Sequence, residues 1–133
     1  MQAFFFGVYF TKRSEKNLAR DDCIFCKIVQ GELDAKKVYE DDDILAFEDV
    51  SPQAPVHVLV IPKKHISSLL ALQPEDEKLA ANLLFRIQEI AKQLQLDEKG
   101  FRVVNNIGED GGQSVFHIHF HILGGRSLTW PPG

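Results

Sequence analysis

The stretch Phe116-His117-Ile118-His119-Phe120-His121-Ile122 alternates apolar and imidazole side chains without a break. In an extended strand successive side chains point to opposite faces. The three imidazoles then share one face, and Phe116, Ile118, Phe120 and Ile122 share the other. The pattern predicts a strand from Ser114 to Leu123, closed by Gly124-Gly125, with its apolar face on the core. The opposite face presents groups that donate, accept or attack near neutral pH. Three readings of that face stand on spacing alone. The first is a set of partly exposed polar positions on an amphipathic strand. The second is a metal site, since three histidines with an open position suit catalytic zinc. The third is a nucleophilic site: the turn before the strand, with Gly111, Gly112 and Ser114, can aim backbone N–H groups at a phosphate. A nucleophilic imidazole works best with one nitrogen free and the other held by an acceptor.

The rest of the chain reads as short strands and one long helix. Lys37 to Glu40 and Ile44 to Val50 read as strands, the second with Ile44, Ala46 and Glu48 on one face and Leu45, Phe47 and Asp49 on the other. Ser51-Pro52 and Ala54-Pro55 break it. Val56 to Pro62 is a β-branched run ended by proline, with His57, Leu59 and Ile61 sharing a face. Pro74 suits a first helical position, and Glu75, Asp76 and Glu77 suit the positive end of a helix dipole. Leu79, Leu83, Leu84, Ile87, Ile90, Ala91 and Leu94 then recur at helical spacing. Gly100 precedes a further strand, Phe101 to Asn105. The order predicts an α+β domain: an antiparallel sheet with helices on one side.

Residues 22–133 are expected to form a single domain, and a chain of 133 residues asks for no second one. Residues 1–21 stand apart as an N-terminal extension. Its apolar run, Ala3 to Phe10, precedes the basic residues Lys12, Arg13, Lys16 and Arg20, the reverse of a secretory signal. It reads as an added strand or a misassigned start, or as a mitochondrial or plastid leader; without a leader role the protein is expected in the cytoplasm. With 19 acidic against 15 basic residues there is no electrostatic case for a nucleic-acid partner. No apolar run approaches the roughly 20 residues of a membrane span.

Three separated blocks carry a resemblance. His117-x-His119-x-His121 followed by Ile122-Leu123-Gly124-Gly125 resembles the histidine-triad signature. The block Asn106 to Gly125 (NIGEDGGQSVFHIHFHILGG) is similar to the Hint branch of that family, the histidine-triad nucleotide-binding proteins. So are Ala46 to Ile66 (AFEDVSPQAPVHVLVIPKKHI) and the ending Trp130-Pro131-Pro132-Gly133. The likeness covers about residues 22–133. It implies a HIT-like fold: an antiparallel sheet of about five strands with one long and one short helix, continued across a homodimer.

The resemblance also implies a purine nucleoside phosphoramidate hydrolase that releases AMP or GMP through a covalent nucleotidyl-histidine. His119 would be the nucleophile, with the Gly112 carbonyl orienting its other nitrogen. His117 and His121 would flank the phosphate, His57 would complete the cluster, and Ser114 would sit near the leaving group. Asp49 would grip the ribose hydroxyls as a double acceptor. Asn106, Gln113 and Val115 would help to hold the nucleotide. Phe25, Ile28, Leu33, Phe47 and Val50 would form an apolar slot for the base. Trp130 would lie near the leaving-group side of the partner's site. No cofactor is required for this chemistry. The rivals are a dinucleoside polyphosphate hydrolase, a nucleotide-binding regulatory or scaffold module with vestigial chemistry, and a zinc-dependent hydrolase.

The only two cysteines form Cys23-Ile24-Phe25-Cys26, too sparse for a secreted disulfide scaffold. A single C-x-x-C is also a weak zinc signal, because a second ligand pair is required. The resemblance supplies one: in some bacterial histidine-triad proteins the pair joins two histidines in a structural zinc site, and the matching positions are His65 and His117. The alternative is two reduced, partly buried thiols.

Overall fold

The central strand is the one with the most continuous apolar sequence, Val56–Pro62 (β3), and it sets the layout of the rest. This is a computed structural model that describes residue 20 and residues 22–133; the readings on the remaining residues of the N-terminal extension lie outside it. Beside β3 run Lys37–Glu40 (β1), Ile44–Glu48 (β2), Arg102–Val104 (β4) and Phe120–Gly124 (β5). The five strands form one sheet in the order β1-β2-β3-β5-β4, every neighbouring pair antiparallel. The β1–β2 turn is closed by the Asp41 carboxylate, which accepts from the N–H groups of Asp43 and Ile44, each at 2.8 Å.

Alternation along β2 and β3 loads both faces of the sheet. Ile44, Ala46, Val58 and Val60 point one way, onto the 17-residue helix Glu77–Gln93 (α2). Leu45, Phe47, Leu59 and Ile61 point the other way, onto the short helix Ile24–Val29 (α1). The Pro74–Asp76 3₁₀ turn leads into α2, and buried Asp76 fastens it by accepting from Lys64 Nζ at 2.7 Å and from the Gln73 N–H at 2.9 Å. Leu83, Ile87, Ile90 and Ala91 fill the sheet side of α2, each large aliphatic group stabilising the fold by roughly 1.5–3 kcal/mol. Leu84 departs from the expected stripe: it is 61% exposed.

The strand readings hold with one consequential change. β5 begins at Phe120, not Ser114. Ahead of it the Ile118 N–H donates to the Ile66 carbonyl and the His119 carbonyl accepts from Asn105 Nδ2, so residues 114–119 leave the sheet ladder. His117, His119 and His121 therefore do not stand in one row on one face.

Candidate active site and adjoining metal cluster

On the α1 side of the sheet lies an open cavity of about 660 Å³. Phe25 and Ile28 from α1 and Phe47 from β2 form its apolar wall, with Leu33 and Val50 at the side. Asp49 follows the end of β2, and Ser114, Val115, His119 and His121 come from the segment that becomes β5. Ten of the sequence-expected residues thus converge on one space: Phe25, Ile28, Leu33, Phe47, Asp49, Val50, Ser114, Val115, His119 and His121. Val50, wholly exposed, and Leu33, 41% exposed, leave apolar surface open beside it, the kind of surface a bound apolar ring covers.

His119 is buried, and its Nδ1–H donates to the His117 carbonyl at 2.8 Å. A carbonyl can only accept, so the proton sits on Nδ1 and the lone pair on Nε2. That carbonyl was expected from Gly112. The correction has a local cause: the 108–113 turn is held back by Gln113, whereas the bend at 115–117 brings the carbonyl of His117 itself under the ring. The Phe25 ring meets the His119 ring edge-on, centroids 5.2 Å apart.

His57 and His121 form a second unit. The Gln53 backbone N–H donates to His57 Nδ1 at 3.0 Å, which leaves the His57 proton on Nε2. That N–H faces His121 Nδ1 at 2.9 Å, with Asp49 Oδ2 at 3.4 Å. His121 therefore accepts at Nδ1 and carries its own proton on Nε2, a buried atom without a hydrogen-bond partner among the described residues. Burial, reinforced by the neighbouring His119 and His57, pushes His121 down to about 4; burial also lowers His57, with Asp49 opposing it. Both rings are neutral donors at pH 7. Asp49, His57 and His121 stand close enough to suggest a metal group. The hydrogen bonding argues otherwise, because a ligating histidine donates its second N–H outward, and here the second nitrogen of His57 faces a donor.

His117 does not flank the cavity. It is completely buried and points toward the cysteines: its Nε2–H donates to the Pro62 carbonyl at 2.8 Å, and its Nδ1 faces Cys23 Sγ at 3.4 Å and Cys26 Sγ at 3.6 Å. His65 Nδ1 lies 3.3 Å from Cys26 Sγ. The four ligating atoms, all on buried residues, lie within 4.8 Å of one another. Tetrahedral zinc with Zn–S near 2.3 Å and Zn–N near 2.05 Å needs ligand-to-ligand edges of roughly 3.3–3.8 Å, and the contacts match. The donor set also fits chemically. His117 keeps its lone pair on the cluster side and its outer N–H on a carbonyl, the arrangement of a metal-bound imidazole. Burial pushes the Cys26 thiol up to about 11, so without a cation the sulfur keeps its proton.

Three expected residues lie elsewhere. Gln113 is buried as a clamp on the backbone, accepting from the Gly108 N–H and donating to the Ser67 and Val115 carbonyls. Gly112, at φ +79°, makes the turn that such a backbone conformation reserves for glycine. Neither it nor Asn106 lines the cavity. The sequence reading missed Asn105, whose Nδ2 holds the His119 carbonyl at 2.9 Å while its buried Oδ1 has no hydrogen-bond partner among the described residues. A polar residue at the end of a strand was the available signal. It also missed Lys36 and Leu59 on the cavity wall.

Comparison with known proteins agrees with this geometry. The HIT domain family model matches residues 30–128. An uncharacterized HIT-like protein of Synechocystis sp. is 54% identical over 113 residues, covering 85% of this chain and 98% of that protein. A 14 kDa zinc-binding protein of Brassica juncea is 47% identical over 114 residues, covering 84% of this chain and all of the relative. Among solved structures, a HIT family hydrolase from Legionella pneumophila superposes with a TM-score of 0.83 at 53% identity, over 84% of this chain and 100% of that one.

Proposed function

The chain belongs to the HIT domain family, and from that premise we propose that it is a purine nucleoside phosphoramidate hydrolase of the Hint type, working through nucleotidyl-His119. One observation carries the reading: the His119 Nδ1–H···O=C bond to His117 leaves the Nε2 lone pair at the wall of a nucleotide-sized cavity. An imidazole so held is a nucleophile with its proton already placed.

The base fits the slot of Phe25, Ile28, Leu33, Phe47 and Val50, and the Asp49 carboxylate takes the ribose hydroxyls. Nε2 of His119 then attacks the α-phosphorus. The N–P bond forms as the bond to the leaving nitrogen breaks, and that nitrogen departs as a neutral amine after gaining a proton. Ser114, exposed at the rim, would relay that proton from solvent. The Nε2–H of His121 donates to a non-bridging phosphate oxygen, and His57 keeps it in that tautomer. Water attacks the adduct in the second step: its oxygen bonds to phosphorus as the N–P bond breaks and its surplus proton returns to solvent, releasing the nucleoside monophosphate and restoring neutral His119. Two smaller barriers replace one large one.

The Cys23, Cys26, His65 and His117 cluster is read as a structural zinc site. Zinc would hold α1 to the segment before β5 and would supply no chemistry at the phosphate. Its reduced thiols suit the cytoplasm. A homodimer that continues the sheet would use β4, one of its two edge strands, where Val103 and the preceding Phe101 are exposed.

The test is AMP release from a lysyl-adenylate-type phosphoramidate, wild type beside His119→Ala. Release by the wild type alone, with AMP bound by both, is the expected result. No release by either while AMP still binds would make the chain a nucleotide-binding module instead.

A further inference from the structure

The peptide unit joining His117 to Ile118 is gripped from two sides. Its carbonyl accepts the Nδ1–H of His119 at 2.8 Å, and its N–H donates to the Ile66 carbonyl at 2.6 Å. A peptide is planar, so holding one of these groups aims the other. The chain here is a bend ahead of β5, and no sheet ladder fixes it. What brackets it is the cysteine–histidine cluster. His117 is one member, and the other histidine, His65, immediately precedes Ile66. The two backbone segments that set the direction of the carbonyl therefore each carry one histidine of the cluster.

We propose that His117 is a positioning residue through which a divalent cation in the Cys23–Cys26–His65–His117 cluster aligns His119 for attack. This rests on the reading of His119 as the nucleophile. With the cluster filled, the His117 ring is held at both nitrogens, Nδ1 on the cation side and Nε2 on the Pro62 carbonyl. The 65–66 and 117–118 segments are then cross-linked, and the carbonyl under His119 has one direction. With the cluster empty, hydrogen bonds alone hold the bend. The base slot depends on the cluster only in part: Phe25 and Ile28 ride on α1 with Cys26, whereas Phe47 sits on a sheet strand and Leu33 and Val50 lie outside α1. A cluster acting only as a staple would change stability without selectively changing the first chemical step.

The experiment compares full-length protein as purified, stripped with chelator, and reloaded with zinc ion. Cobalt ion serves as a spectroscopic check that the thiolates are occupied. Three quantities are read: the single-turnover rate of nucleotidyl-histidine formation, the Kd for AMP, and the ring tautomer of His119 by ¹⁵N NMR. Stripping is expected to slow adduct formation about 100-fold, as small misplacements of a reacting group do. The AMP Kd should weaken by no more than about tenfold, well short of the loss in rate, and the signal of the carbonyl-bonded Nδ1–H should be lost; reloading should restore all three. If the stripped chain unfolds, zinc-loaded His65→Asn supplies the same comparison and must show the same split. An unchanged adduct rate and tautomer without metal would overturn the proposal, and so would an equal loss of AMP affinity. A loaded wild type that binds AMP but forms no adduct would overturn the nucleophile assignment instead. The His119 tautomer would then decide whether the cluster positions that ring.

Discussion

His57 Nε2 stands 2.9 Å from His121 Nδ1, and the Gln53 backbone N–H on the far side of His57 determines which ring donates. His57 must give its Nε2 proton, so His121 must keep one on its own Nε2, a buried atom with no hydrogen-bond partner among the described residues. The pair delivers a neutral donor without burying a charge. His57→Phe removes the donor and frees His121 to change tautomer. The expected outcome is a 10- to 100-fold lower kcat with AMP affinity changed less than threefold, and partial recovery in His57→Asn. Steady-state kinetics beside calorimetric AMP binding checks it; equal losses in both would argue for a packing role.

Acid stability follows from the same pair. His121 is pushed down from 6.5 to about 4, chiefly by burial. Between these values the unfolded chain binds a proton at this position and the folded chain does not. Stability is therefore complete above 6.5, falls as pH drops toward 4, and loses nothing further from this group below that. Replacing the ring removes one proton from the linkage. In urea unfolding from pH 7 to 4, His121→Gln should flatten the slope by up to about 1.4 kcal/mol per pH unit. Parallel curves for the two proteins would place the acid sensitivity elsewhere.

Much of this was legible in the sequence because periodicity reports burial. The Val56–Pro62 strand and the α2 stripe follow from the spacing of apolar residues, and the two faces of β2 and β3 carry the residues expected of them. The histidine run misled for a physical reason. Alternation gives the face of a residue only within the strand, and with hydrogen bonds from Ile118 to Ile66 and from Asn105 to His119 ahead of it the strand starts late, at Phe120. His117 consequently turns to the cysteines. Asn105 was invisible for a related reason, since its task is to hold a backbone carbonyl. The ligand set of Cys23, Cys26, His65 and His117 came from resemblance, because residues so far apart in sequence carry no mutual spacing.

Asp49 offers a direct test of sugar recognition. Its Oδ1 already accepts the Ser51 N–H at 2.8 Å, which fixes the carboxylate at the mouth of the cavity with lone pairs to spare. Charged acceptors bind hydroxyls by about 1.5–3 kcal/mol. Wild type should therefore prefer AMP over 2′,3′-dideoxy-AMP by roughly 10- to 100-fold in Kd. In Asp49→Asn that preference should shrink to a few-fold, mostly through weaker AMP binding. Equal affinities for both ligands in the wild type would remove the ribose from this residue.

The β4 edge gives a test of assembly. Arg102–Val104 pairs with β5 on one side, and among the described residues no strand pairs with its other side. Exposed Val103 adds apolar area beside that edge. Sedimentation of the wild type should give a dimer mass. Val103→Lys, a charge of the kind that protects free edges, should shift it to the monomer with little change in circular dichroism. A wild-type monomer at micromolar concentration would leave the edge without its proposed partner.

Metal content is the most economical check on the cluster. Four buried donors lie within 4.8 Å of one another, and one of them, the Cys26 thiol whose proton burial retains, gains greatly from a cation that replaces that proton. Protein purified without chelator should carry close to one equivalent of zinc. Stripping it should release the metal and lower Tm by several degrees or more, since α1 loses its tie to the segment before β5. Cys26→Ser should bind zinc far more weakly and resemble stripped wild type in Tm. Less than a tenth of an equivalent in never-chelated protein would mean that the cysteines are reduced thiols packed on two histidines. The His117 ring would then be held by the Pro62 carbonyl at Nε2 and by the thiols alone at Nδ1.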